Sequence, residues 1–137
     1  MLEDFIEING LKAKLVKKAI VNSSSAKCEL IMREPSTLKP LLLVHLCKDS
    51  IDMEKVHKLF RNEKFREPSA REAFHVTGYK KDYLPAISIY GVIVLLDEKA
   101  AKKEKLYIPV DEETTLVITP AEIIEANEEC VVCDITR

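Results

Sequence analysis

Cys130 and Cys133, in the run Cys130-Val131-Val132-Cys133, have the spacing of a metal-ligand pair. The run is apolar and reads as a strand, in which residues i and i+3 point to opposite faces, whereas a zinc ion needs both thiolates to converge at about 2.3 Å. With Cys28 and Cys47 in strands of their own, the cysteines read as small apolar thiols in or near the core. The histidines show no ligand grouping either. His45 interrupts an apolar run, where a satisfied core histidine is expected, and His57 falls on the charged side of a helix. His75, three residues before Gly78, is the one placed to face the loop that follows. There is no nucleophile elbow, no phosphate-cradling glycine loop and no paired-carboxylate arrangement. Covalent catalysis therefore has no signature here, and neither a metal nor a cofactor is expected.

The stretch around that loop, His75 to Glu98, changes character three times. In Pro68-Ser69-Ala70-Arg71-Glu72, Ser69 suits an N-cap, with Glu72 completing a capping box. Ala70, Ala73, Phe74 and Thr77 recur at helical spacing, and Gly78 sits where a left-handed residue ends a helix without steric cost. Tyr79 to Pro85 is then a loop, because a proline disfavours helix at the residue before it. Ala86 to Leu96 is a nearly unbroken apolar run and predicts a strand buried on both faces. A loop pinned between a helix end and an interior strand can aim its backbone at a ligand.

The chain has 137 residues, 47% of them hydrophobic and 32% charged, which predicts one compact domain over residues 1–137 with a substantial core. A net charge of −2 argues against a protein whose main business is gripping nucleic acid, since that affinity comes from many lysine and arginine contacts to phosphate. A local basic patch would still allow transient contact with RNA. The start, Met1-Leu2-Glu3-Asp4, is acidic where a secretory signal is basic, and no apolar segment nears the roughly 20 residues that span a bilayer. A cytoplasmic protein with reduced thiols and no membrane partner is expected.

The remaining elements follow from pattern. Leu2 to Ile8 predicts a short helix stopped at Asn9-Gly10. Leu11 to Val21, with Lys12, Lys14, Lys17 and Lys18 interleaved, predicts an edge strand whose lysines discourage pairing with other chains. Their functional alternative is an RNA patch. After the Asn22 to Ser25 turn, Ala26 to Met32 is a strand with Lys27 and Glu29 on one face and Cys28 and Leu30 on the other. Leu41 to Cys47 is an interior strand, and Asp52 caps a helix with Met53, Val56, Leu59 and Phe60 along one stripe. Ala100 to Lys105 is a charged turn or short helix. Leu106 to Pro109 and Thr115 to Ile118 form a hairpin, Thr119-Pro120-Ala121-Glu122 opens a last helix, and Cys130 to Ile135 is a last strand. The sum is an α+β domain: three to five short helices on a mixed sheet of six or seven strands, or a partial barrel.

In order, Ala26-Lys27-Cys28-Glu29-Leu30-Ile31-Met32, Asp52-Met53-Glu54-Lys55-Val56, Thr77-Gly78-Tyr79 with Pro85, Leu95-Leu96-Asp97-Glu98 and Leu116 to Ile124 resemble the YbaK/ProX family. The resemblance spans roughly residues 12 to 135. It implies an aminoacyl-tRNA deacylase related to the editing domain of bacterial prolyl-tRNA synthetases, acting in trans on the ester between a mischarged amino acid and the tRNA 3′ end. Water would be the nucleophile, with aminoacyl-tRNA a transient partner and a synthetase a further one. By the same resemblance Lys27 is the catalytic residue, stabilising charge on the ester carbonyl or holding the terminal ribose-phosphate. Gly78, Tyr79 and Pro85, with His75 beside them, would form the substrate loop that Lys27 faces, selecting by pocket size. Two positions depart from the family pattern. Lys81 stands where a loop glycine is usual, and Pro109-Val110-Asp111 replaces a second glycine. A different substrate, or a fold kept as a non-catalytic tRNA- or synthetase-binding module, is the alternative.

Overall fold

A computed structural model describes residues 1–61 and 64–137. Its helices are α1 (Leu2–Ile8), α2 (Met53–Leu59), α3 (Ala70–Thr77), α4 (Glu98–Ala101) and α5 (Pro120–Ala126). Its strands are β1 (Lys14–Val16), β2 (Ala26–Glu34), β3 (Leu41–Leu46), β4 (Lys64–Arg66), β5 (Ile93–Asp97), β6 (Leu106–Asp111), β7 (Thr114–Ile118) and β8 (Cys130–Cys133). The fold is α+β, as expected, with one more strand than the sequence pattern showed, because the three residues of β4 carry no periodicity of their own.

The strands form a three-stranded sheet in the order β1-β7-β6 and a five-stranded sheet in the order β4-β2-β3-β5-β8. A parallel bridge between Ser25 and Tyr107, with the Tyr107 N–H donating to the Ser24 carbonyl at 3.1 Å, joins the two. The larger core lies where they wrap around each other. Alternation along β2 sends Ala26, Cys28 and Leu30 into it, beside Leu42 and Val44 of β3, Ile108 of β6 and Leu116 of β7. The opposite face of the five-stranded sheet carries a second core of Ile31, Leu41, Leu43 and Leu95, closed by Val56 of α2 and by Ile135.

Local signals decide several boundaries. Thr119 caps α5 through a complete capping box with Glu122, and Pro120 occupies the first turn, where its missing N–H costs nothing. Glu122 also accepts from the backbone N–H of Lys12 at 2.7 Å and of Ala13 at 3.0 Å, tying the approach to β1 onto the start of α5. Thr119→Ala is expected to lower stability by about 1 kcal/mol, read as a shift in the urea midpoint at unchanged slope. Ser69 caps α3, but the Glu72 carboxylate does not close the expected box; it is drawn to the Arg66 guanidinium at 2.6 and 2.7 Å. A bidentate, charge-assisted pair outcompetes a single bond to a backbone N–H.

Several strands are shorter than the sequence suggested; β8, for one, ends at Cys133 rather than Ile135. β1 covers only Lys14–Val16, and the apolar stretch before β5 is not strand at all. Leu84 to Ile89 are all buried, yet they form a loop that plugs the larger core, with Ser88 at φ +69. A short apolar run signals burial without telling strand from loop.

His45 is the satisfied core histidine that the sequence implied, 1% exposed, with Nδ1 2.8 Å from the Leu46 carbonyl and Nε2 against the Glu29 carboxylate. That bond holds the Glu29 carboxyl below its ordinary range, outweighing the opposing effect of partial burial. The unfolded chain therefore binds this proton more readily than the native state. The resulting stabilisation is present above the unfolded value of about 4.3 and fades as the pH falls below it. Glu29→Gln should destabilise at pH 7, and the gap between the two urea midpoints should narrow toward pH 3; a gap independent of pH would show that the bond is not charge-assisted.

Candidate functional site

Gly78 ends α3 at φ +81, which L side chains adopt only with strain, and its N–H donates to the Phe74 carbonyl at 2.8 Å. The Thr77 hydroxyl donates to the Ala73 carbonyl at 2.7 Å and accepts from the Tyr79 N–H at 3.0 Å, so the chain leaves the helix in one direction. The Tyr79 hydroxyl then donates to Ser88 Oγ at 2.9 Å. Ser88 is the one non-glycine residue at positive φ among the described residues, a strained backbone of the kind that persists only where the surroundings hold it. Asn127 Nδ2 donates to the Ala86 carbonyl at 2.8 Å, so the buried loop is clamped from α5 as well.

Gly78 and Tyr79 form one wall of an open cleft of about 730 Å³, with Phe74, Lys80 and Tyr83 beside them. The facing wall is the β6–β7 hairpin, Val110 to Thr114, and Lys17, just past the end of β1, closes the side. An irregularity in the β6–β7 register between Pro109 and Asp111 turns this hairpin. The Glu113 N–H, at 2.8 Å, is the main reason that the Asp111 carboxyl sits below its ordinary range, with smaller help from Thr114 and Lys17. Burial raises the Tyr79 phenol, which keeps it a hydrogen-bond donor at neutral pH. The cleft therefore offers two ammonium groups, hydroxyls and carboxylates around a space suited to a small polar group joined to a larger chain.

The residues singled out in the sequence do not all meet there. Gly78 and Tyr79 line the cleft, whereas Pro85 is buried behind it at the start of the plug loop. His75 is exposed and borders a separate depression with Arg66, Ser69 and Arg71. Lys27 is exposed and pairs in register with His45, on the face that carries the smaller core. The plug loop enters β5 at Ile93, level with Leu41 and Ile31, and lies against the larger core. Four residue pairs, about 13 Å of strand, separate Lys27 from the level at which the plug loop enters β5. Lys27 is not among the residues that line this cleft, while the 81–83 turn of the Gly78–Pro85 loop packs against β2, the strand that carries it. Its charge is felt instead by Glu29 and Cys47.

The two departures from the family pattern fare differently. Lys81 turns its ammonium to the Pro68 carbonyl at 2.8 Å and does not line the cleft, while Val110 and Asp111 do. Sequence reasoning missed Lys17, Tyr83, Thr114 and Ser88. Lys17 carries no local signal, since only the pairing of β1 with β7 delivers it to the hairpin. Cys130 packs against the larger core and Cys133 against the smaller, the opposite faces that strand geometry predicts, and burial pushes both thiols up to about 11.

The aminoacyl-tRNA editing domain profile matches residues 8–126, which include every residue of the cleft. The chain belongs to the aminoacyl-tRNA editing domain family. Two solved structures show the same fold at low identity. The hypothetical protein APE2540 superposes with a TM-score of 0.84 at 18% identity, covering 99% of each chain. A "putative trans-editing enzyme for prolyl tRNA synthetase" superposes with a TM-score of 0.85 at 16% identity, covering 99% of this chain and 94% of its own. No curated protein matches the chain. Among the described residues no helix is long and apolar enough to cross a membrane.

Proposed function

We propose that this editing domain hydrolyses the ester of mischarged aminoacyl-tRNA in trans, and that the cleft between Gly78–Tyr79 and the Val110–Thr114 hairpin receives the aminoacyl end. The observation that carries the reading is the coincidence of the family match with a cleft that sets two lysines, Lys17 and Lys80, against polar walls, with Lys17 on the side of the Asp111 carboxylate. Water attacks the ester carbonyl, negative charge grows on its oxygen, and Lys17 stabilises that charge, a term worth about 10²- to 10³-fold when one such donor is removed. The carboxylates of Asp111 and Glu113 suit the free α-ammonium of an aminoacyl ester. Tyr79, held by Ser88, fixes the depth of the pocket and so the size of side chain admitted. Lys27, outside the cleft, is a contact for the RNA or a structural neighbour of Glu29 rather than a group at the reacting ester.

The test is deacylation of a panel of mischarged tRNAs by the purified protein and by Lys17→Ala and Lys27→Ala. Turnover of at least one substrate, lost with Lys17 and kept with Lys27, is the expected result. No cleavage above the tRNA blank for any amino acid rejects the enzyme. Salt-dependent tRNA binding without turnover would establish the second reading, a non-catalytic binding module, which the side chains of Val110 and Asp111 on the cleft wall favour.

A further inference from the structure

We propose that the segment Lys12 to Lys18 and the cleft behind it form a track for RNA phosphates that leads the end of a strand to the Gly78 cleft. The choice of tRNA as the RNA rests on the editing reading; the track itself rests on geometry and charge.

β1 is the free edge of its sheet, and Lys12, Lys14, Lys17 and Lys18 along this segment are all exposed. Lys12 and Lys14, two residues apart and so separated by about 6.6 Å where the chain is extended, line a second cleft of about 810 Å³ together with Lys105. Lys17, farther along the same segment, lines the Gly78 cleft. One short piece of chain thus carries ammonium groups from one cleft to the other.

Clustering sets this face apart: Lys12, Lys14, Lys17 and Lys18 fall within seven residues, and Lys105 joins them at the second cleft. Elsewhere some cations are matched, Lys39 with Glu129, Lys55 with Asp134, Arg66 with Glu34 and Glu72, Lys99 with Asp49, and others, such as Lys48, Lys58 and Lys64, lie outside both clefts. Among the described residues Lys12, Lys14, Lys18 and Lys105 have no carboxylate within ion-pair distance. The second cleft holds two acids, Glu122 and Glu125, but the Glu122 carboxylate is already engaged by the N–H groups of Lys12, Ala13 and Thr119. Three ammonium groups therefore share the cleft with two carboxylates, one of them turned inward onto backbone N–H groups, which leaves the cleft net positive in a protein whose net charge is −2. A chain with a regular negative repeat fits such a groove, and the adjoining candidate site for an RNA 3′ end makes an RNA strand its occupant.

The experiment is anisotropy of labelled, uncharged tRNA over 50–200 mM KCl. It compares the unaltered protein, the triple variant Lys12→Gln/Lys14→Gln/Lys105→Gln, and a charge-matched control, Lys48→Gln/Lys58→Gln/Lys64→Gln, on the side of α2 and β4. The track predicts that the first triple weakens binding at least tenfold at about 100 mM salt and lowers the log–log salt slope by about 2, at roughly 0.7 per single-strand phosphate contact, with the control unchanged. Equal losses in both triples, or no change of slope in the first, overturn the track. Equally tight, equally salt-sensitive binding of a polyglutamate peptide overturns the RNA assignment. Deacylation of the mischarged-tRNA panel by the unaltered protein tests the editing reading separately: no turnover there sinks that reading, while the slope with uncharged tRNA still decides the track.

Discussion

Lys17→Ala is expected to lower the hydrolysis rate of a mischarged tRNA by about 100-fold, with kcat falling and KM nearly unchanged. Lys17 is exposed and its side chain closes the cleft rather than packing in a core, so the variant should keep its urea midpoint. An ammonium beside the ester carbonyl does little for the neutral ground state and most for the tetrahedral species, where the oxygen carries a full charge. That is why the loss belongs in kcat. If Lys17 instead holds the terminal phosphate, the charge it meets is the same before and during reaction, and KM rises at constant kcat. Lys27→Ala should change either constant by less than about threefold, since Lys27 does not line this cleft. A 100-fold loss with Lys27→Ala and none with Lys17→Ala would mean that the reacting end binds on the outer face of β2, and the cleft assignment would fall.

The difference between these two lysines shows where sequence reading stops. The caps that bound α3 and start α5 were legible because each is a local signal: Ser69 before the helix and Gly78 after it, then Thr119, Pro120 and Glu122. The alternation that puts Lys27 with Glu29 and against Cys28 was legible for the same reason. What alternation cannot tell is which face of the strand the distant plug loop will cover, because that is fixed by the register of β2, β3 and β5, some 60 residues apart in sequence. Lys17 is the converse case. Nothing near it distinguishes it from Lys14 or Lys18, and its place in the cleft comes from β7, about 100 residues away. The plug loop was misread as strand because Ile87, Ile89 and Val92 are buried whichever conformation carries them; the positive φ at Ser88 has no signal without a glycine to mark it.

Asp97→Ala is expected to destabilise the protein by about 3 kcal/mol, the largest effect on stability of any single polar side chain considered. Asp97 is 0% exposed. Oδ1 accepts from the Ile135 N–H at 3.0 Å, while Oδ2 accepts from the Lys99 N–H at 3.2 Å and from the Thr136 hydroxyl at 3.2 Å. It therefore caps α4 and also holds the final residues to the sheet, where Ile51 bridges Thr136 and the Asp52 N–H donates to the Ile135 carbonyl. Losing the cap costs about 1 kcal/mol, and each buried donor left without a partner about 1–3 kcal/mol. Relief from burying a charge offsets part of that sum. At this chain length the change corresponds to a fall of roughly 6–12 °C in Tm, and the urea slope should stay constant. Asp97→Asn keeps an acceptor but turns an amide N–H toward a donor, so it should fall between the two. The tail lies beyond residue 126, where the family match ends, so this carboxylate fastens a segment outside the match to β5. A loss below about 1 kcal/mol in the alanine variant would mean that the tail is held by its apolar contacts, chiefly Ile135 in the smaller core, and that the three hydrogen bonds only shape it.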